Sequence, residues 1–286
     1  MLLSVIIPAL NAGKEIANLI ELISRQSVKP DEIIVVDSAS DDDTVVQCGR
    51  FSEVRVIPIS RSDFDHGGTR DMALRQSKGD IVVFMTQDAI PKNEYLLENL
   101  LKAFDDSNVA CAMARQLPKP DATPMEIAVR KFNYPATSFT RSLEALPKYG
   151  IKTYFFSDVC AAYRRDIYLK LGGFEHPLKT NEDMFYAANV IRNGYKTAYV
   201  AVAEVLHSHN FSLKEQYERN YLIGFELARH KDILGETKTY GEGLKLVRQV
   251  CLELLKQGHV FSIVRFFFDC VARVSGNWRG KRVWKG

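Results

Sequence analysis

No two of the five cysteines stand at C-x-x-C spacing, and an odd number cannot all pair within the chain. Cys48, Cys111, Cys160, Cys251 and Cys270 fall in apolar or helical stretches, so neither a disulfide framework nor a zinc cluster is expected, and a reducing cytosol suits them. Leader features are lacking too: MLLSVIIPAL has no basic start and no small-residue cleavage site, and reads instead as a first buried strand over residues 2 to 7. There is no internal repeat, no low-complexity tract and no glycine-rich, lysine-bearing loop after that strand, such as a nucleotidyltransferase would use. The remainder has an ordinary globular composition. With 46% apolar residues over 286 positions, it can fill one large domain or a domain with an appendage.

A large excess of either charge sign is also missing, the net being +3, but the distribution is uneven. From Lys256 onward seven basic residues face Asp269 alone, a surplus of +6 that leaves −3 on the preceding 255 residues. That acidic body, with no nucleic-acid motif, argues against a nucleic-acid partner. Across 258 to 276, Ser262, Arg265, Asp269, Arg273 and Gly276 form a narrow polar stripe at helical steps, and Val and Phe residues cover the rest. Charges inside the segment argue against a bilayer-spanning helix, which wants about 20 mostly apolar residues. An interfacial helix fits better, because WRGKRVWKG follows it with Trp278 and Trp284 among four cations. The alternative is a helix packed on the body of the protein or on a second subunit.

The first hundred residues alternate short apolar runs (LLSVII, EIIVV, VRVI, DIVVFM, then VACAMA) with amphipathic ones. That alternation predicts a mostly parallel central sheet flanked by crossover helices. Ligands of such sheets sit beyond the carboxyl ends of the strands. The positions of interest are therefore Pro8 to Asn11, Asp37 to Ser40, the 60 to 68 loop and Thr86 to Asp88. The chain from 115 to 153, rich in proline, is expected to wrap over the sheet edge. Beyond it come a strand and short helix (158 to 174), a helix near Asn181, a strand pair through TAYV and AEVLHSH, a helix over 212 to 231 and a linker over 235 to 243.

Several of these positions could carry chemistry. Asp37 could accept hydrogen bonds from a base or ribose, with the acids that follow it capping a helix. In FDHGGTRDMAL, Gly67 and Gly68 allow a tight turn into a helix whose N-terminus, with Arg70, would suit a diphosphate; the plainer reading is a glycine turn with a surface arginine. Asp88 could hold Mg²⁺ or Mn²⁺ when diphosphate oxygens and waters complete the shell, or it could simply cap a helix. Glu182 and Asp183 cannot share a helix face, so one would point into a cleft; an acidic pair there also compensates a helix dipole. HSH at 207 to 209 aims two imidazoles to one side of an extended segment, as metal ligands or as a surface strand end.

Taken in order, SVIIPALNAGKEI, IIVVDSASDDDT, GGTRDMAL, GDIVVFMTQDAIP, RRDIYLKLGGF, NEDMFYAANVIRNGYKTAYV and VLHSH resemble glycosyltransferase family 2 with its GT-A nucleotide-binding fold, over residues 3 to 211. HGGTRDMAL and TQDA are most similar to bacterial rhamnosyltransferases of surface-polysaccharide synthesis. The resemblance implies that Pro8 and Asp37 contact the nucleoside and that Arg70 reaches base or diphosphate. The family's Asp-x-Asp motif falls on Thr86, Gln87 and Asp88. Asp88 would then bind the donor and hold Mg²⁺ or Mn²⁺ with His207, beside Gln87, while Thr86 stands where the first acid is missing. Asp183 would be the catalytic base and Glu182 the runner-up. The implied reaction is inverting transfer from dTDP-rhamnose or a UDP-sugar to a saccharide or lipid-linked acceptor, at the inner face of the cell membrane. Hexosyl transfer to a polyprenyl phosphate is the second reading. The implied domains are a catalytic unit over 1 to 231, with a nucleotide half to about 114, and a basic helical extension over 232 to 286.

Overall fold

The computed structural model describes residues 1–234 and 241–284. Its strands are β1 (Leu3–Ala9), β2 (Glu32–Asp37), β3 (Val54–Pro58), β4 (Ile81–Met85), β5 (Ile90–Pro91), β6 (Val109–Leu117), β7 (Phe139–Arg141), β8 (Cys160–Arg164) and β9 (Lys196–Leu206). Its helices are α1 (Ile16–Ser24), α2 (Thr44–Cys48), α3 (His66–Gln76), α4 (Leu96–Leu101), α5 (Pro124–Asn133), α6 (Leu146–Tyr149), α7 (Arg165–Lys170), α8 (Glu182–Arg192), α9 (Leu213–Arg229), α10 (Lys231–Leu234), α11 (Glu242–Lys256) and α12 (Val260–Val283). Most of the linker expected over 235 to 243 lies outside the described residues.

One sheet in the order β3-β2-β1-β4-β8-β6-β9-β5, with β7 also on β9, organises the molecule. The β3-β2-β1-β4 half is parallel; β1, β2 and β4 are buried over nearly their whole length and mostly apolar, while the edge strand β3 leaves Arg55 exposed. Ala9 lies beside Asp37 and Asp37 beside Pro58, so these strands stop together. Their following loops therefore gather along one edge, as the sequence predicts. The other half is mixed: β8 enters antiparallel between β4 and β6, and β6 pairs parallel with β9. Through β8 the segment 157–159 comes beside the end of β4, where the N–H of Thr86 donates to the carbonyl of Val159 at 3.0 Å.

Two differences from the sequence reading affect the site. The expected pair of strands through TAYV and AEVLHSH is the single strand β9, which stays on β6 by shifting register between Ala114 and Arg115. It delivers His207, whose N–H donates to the carbonyl of Leu117. The proline-rich stretch does reach the sheet edge through β7, but it also holds a helix, α5, with Thr123 as N-cap and Pro124 in its first turn.

Helix α9 opens with a Ser212/Glu215 capping box and receives α12 along its length. A side-chain carbon added at Gly224 would lie 2.8 Å from the carbonyl carbon of Asn277, and one at Gly280 2.8 Å from the amide nitrogen of Phe225. The two backbones therefore touch. The polar stripe of α12 is the face turned toward α9: Asp269 is fully buried and paired with Arg273, and Arg265 donates to the carbonyl of Phe211 at 3.0 Å. The opposite face leaves Val274 70%, Phe267 63% and Trp278 55% exposed. Among the described residues no helix is long and apolar enough to cross a membrane.

Candidate active site

The strand-end loops enclose a cavity of about 280 Å³ lined by Pro8, Ser38, Phe64, Arg70, Thr86 and Gln87, among others. Gln87 is held against the first loop, accepting from the N–H of Leu10 at 2.8 Å. Asp37 does not line the cavity. Its carboxylate is taken up by Ser40, whose hydroxyl donates at 2.6 Å and whose N–H donates at 3.2 Å. The loop so fixed presents Ser38, with a buried hydroxyl lacking a protein partner.

Helix α3 begins at His66, so Gly67 and Gly68 form its first turn and not a turn ahead of it. Their lack of a side chain is needed for packing: a Cβ at Gly67 would stand 3.0 Å from the carbonyl oxygen of Glu175. Asp65 accepts the N–H of Gly68 at 2.7 Å, so this helix terminus is already capped by its own chain. Arg70, one turn on, is buried and points inward. Its Nε lies 3.8 Å from Asp158 and its Nη1 3.6 Å from Glu182.

A second cavity, about 540 Å³, shares His66, Arg70 and Thr86 with the first and continues to Asp158, Asp183, His207 and Arg219. At its mouth the Nε2 of His207 lies 3.5 Å and that of His209 3.3 Å from Asp88 Oδ2, and the two imidazole nitrogens are 3.1 Å apart. Three donors so close together, one carboxylate oxygen and two imidazole nitrogens, could face a single divalent cation. Asp88, His207 and His209 thus form a group able to hold a divalent cation.

The sequence model described as "Glycosyl transferase family 2" matches residues 4–172. The chain belongs to that family. The glycosyltransferase is 38% identical to the O-antigen chain rhamnosyltransferase RfbN of Salmonella typhimurium, over 98% of this chain and 90% of that one. It is 39% identical to the O-antigen chain rhamnosyltransferase WbaN of Salmonella anatum, over 97% and 89%. Among solved structures, the mannosyltransferase PcManGT from Pyrobaculum calidifontis, in complex with GDP-Man and Mn²⁺, superposes with a TM-score of 0.66 at 19% identity, covering 96% of this chain and 86% of that one. The S. aureus TarS fragment 1-349 with UDP-GlcNAc gives 0.58 at 19% identity, covering 99% and 91%. These likenesses establish a GT-A-like fold.

Burial pushes the pKa of His207 down to about 3, so in the glycosyltransferase its ring is neutral and its lone pair available. Burial opposes the charge on Asp88, yet the ammonium of Lys119 helps hold its carboxyl below the ordinary value. Lys119 Nζ lies 3.3 Å away. In the acidic group the balance is reversed. Burial raises Asp183 well above the ordinary range, and Glu182 and Asp158 raise it further, against N–H bonds from Asp158 and Met184. Asp158 is pushed up to about 7 mainly by burial, with Arg70 opposing. Asp158 was not among the expected site residues, and His209 was offered as a possible ligand by the HSH spacing but not by the family resemblance. Asp158 carries no motif of its own and reads only as the polar start of an apolar strand; His209 was legible through its alternation with His207.

Proposed function

We propose that the enzyme transfers rhamnose, with inversion, from a deoxythymidine- or uridine-diphosphate donor to a saccharide acceptor of surface-polysaccharide synthesis. The observation that carries this reading is the second cavity, which joins a carboxylate of raised basicity, Asp183, to a cation-binding group, with the nucleoside-sized cavity adjoining through Arg70 and Thr86. Pro8, Gln87 and the loop fixed by Asp37 hold the nucleoside, and Asp88, His207 and His209 hold Mg²⁺ or Mn²⁺. A bound cation supplies charge neutralisation for the diphosphate.

Asp183 accepts the proton of the acceptor hydroxyl as its oxygen attacks the anomeric carbon from the face opposite the nucleotide. Its basicity remains below that of a sugar alkoxide, so proton transfer is late and positioning supplies much of the rate. Buried Arg70 links the acidic group to the nucleoside cavity and offsets two of its carboxylates. The test is Asp183→Asn: transfer should fall by about 10³-fold or more, while dTDP or UDP affinity changes less than about threefold. Retained turnover refutes the assignment. Screening donors with and without Mn²⁺ separates rhamnosyl transfer from hexosyl transfer to a polyprenyl phosphate.

The same reading places the enzyme on the inner face of the cell membrane. Support comes from α12: its polar stripe is used inside the protein, its free face is apolar, and Arg279, Lys281 and Arg282 stand exposed at its end. Apolar contact flanked by cations suits an anionic lipid surface.

A further inference from the structure

The short segment 157–159, at the entry to β8, touches each part of the site. Ser157 accepts from the side-chain amide of Gln116, whose oxygen meets the Nδ1 of His207, and the carbonyl of Val159 accepts from Thr86 just past β4. Between them Asp158 is buried. Its N–H donates to the carboxylate of Asp183 at 3.1 Å. Its own carboxylate is oriented by Tyr163 of β8, whose hydroxyl donates to Oδ1 and leaves Oδ2 facing Arg70.

Arg70 is tied to its own helix, its Nη1 donating to the carbonyl of His66 at 2.9 Å. Its charge stands between two carboxylates and closes on neither, with Nε 3.8 Å from Asp158 and Nη1 3.6 Å from Glu182. The Nε of Arg70 and the Oδ2 of Asp158 are both buried and without a hydrogen-bond partner. Among the described residues no other cation forms an ion pair with Asp158 or Glu182. A buried arginine so placed is drawn to whichever acid remains when the other is neutralised, because an uncompensated buried charge is costly. The two acids lead in different directions. Glu182 adjoins Asp183 at the start of α8, whereas Asp158 adjoins Val159 and through it Thr86, in the wall of the nucleoside-sized cavity. We propose that Asp158 is a positioning residue: its carboxylate holds Arg70 toward the nucleoside-sized cavity, within reach of the donor diphosphate, and keeps the guanidinium from closing on Glu182 beside the base. This inference rests on the transferase reading for the donor, but its binding test requires no transfer.

The probe is dTDP, titrated by calorimetry into the full chain with EDTA present. Asp158→Asn keeps the size of the side chain and the N–H bond to Asp183 but removes the charge, and should weaken dTDP about five- to tenfold. Adding Glu182→Gln removes the competing acid, so affinity should return to within about twofold of the parent or exceed it. A packing defect at Asp158 would not be repaired by changing a second residue. Unchanged dTDP affinity in Asp158→Asn, or a loss that Glu182→Gln does not repair, overturns the proposal. If Asp158→Asn does not fold, Tyr163→Phe keeps the charge but frees its direction and should weaken dTDP in the same sense. Unchanged affinity in that variant overturns the proposal too. Retained turnover in Asp183→Asn would instead refute the base assignment and leave the dTDP result standing.

Discussion

The orientation of His207 gives the sharpest test of the cation site. Gln116 is 3% exposed and its side-chain oxygen receives both Arg130 and the Nδ1 of His207, the latter at 3.0 Å, while its amide nitrogen donates to Ser157 at 2.9 Å. Arginine can only donate, so the oxygen of Gln116 must face it, and His207 must then carry its proton on Nδ1. The lone pair on Nε2 is thereby aimed at Asp88 and His209. Gln116→Leu removes that constraint while keeping the size of the side chain. Partners of this kind typically contribute 10- to 100-fold to metal affinity, or about 1.4 to 2.8 kcal/mol. Mn²⁺ titration calorimetry should show that loss, alongside a stability cost of about 1–3 kcal/mol from unsatisfied Ser157 and Arg130 groups. UDP affinity without metal should not change. Mn²⁺ affinity within about threefold of the parent, in a variant that still folds, refutes the assignment of His207 as an oriented ligand.

The acidic group makes a signed prediction about pH. As the proposed base, Asp183 would act when deprotonated, so activity should be lost as pH falls through its raised pKa, and the acid limb of kcat/KM should stand above the ordinary carboxylate range. Glu182→Gln removes one of the neighbours that raise it, so the limb should move to lower pH; a fixed limb rejects Asp183 as the titrating base. At the helix seam, Gly280→Val forces side-chain atoms into the backbone of α9 and should cost about 1–3 kcal/mol in chemical denaturation. An unchanged midpoint would mean that the seam is looser than described. On the free face, Phe267→Glu with Val271→Glu should abolish binding to anionic vesicles without altering the melting curve, both positions being exposed. If vesicle binding persists while a dimer dissociates in light scattering, the face belongs to a second copy of the chain.

The inner strands of the parallel half, β1, β2 and β4, were legible because strands buried on both faces are mostly apolar, and the common ending of β1, β2 and β3 follows from pairing in register. The place of β8 was not, since strand order is decided by contacts distant in sequence. That one insertion carries Asp158 to Arg70, which explains why the arginine expected to meet a diphosphate is engaged by carboxylates. In α5 the signal was present: Thr123, Pro124 and Glu126 open a helix in the usual way, but the surrounding prolines suggested irregular chain. β9 was divided in two because a bulge interrupts its alternation.

The tail shows where amphipathic reading stops and what packing adds. Periodicity identified the residues sharing the polar stripe of α12 but could not say which face meets protein. The answer lies in Gly276 and Gly280, which stand on that stripe at a spacing of four and permit backbone contact with α9 that any larger residue would block. Once the glycines fix that face inward, Asp269 must be buried, and pairing with Arg273 offsets its desolvation. Every apolar residue on the opposite side is then committed to the outside. A row running from Val264 through Phe267, Val271 and Val274 to Trp278 is larger than the scattered apolar residues of an ordinary surface. The arrangement is stable in water only at the cost of hydrating that row, and the lipid surface proposed for the basic end of α12 would relieve the cost while leaving the glycine seam intact.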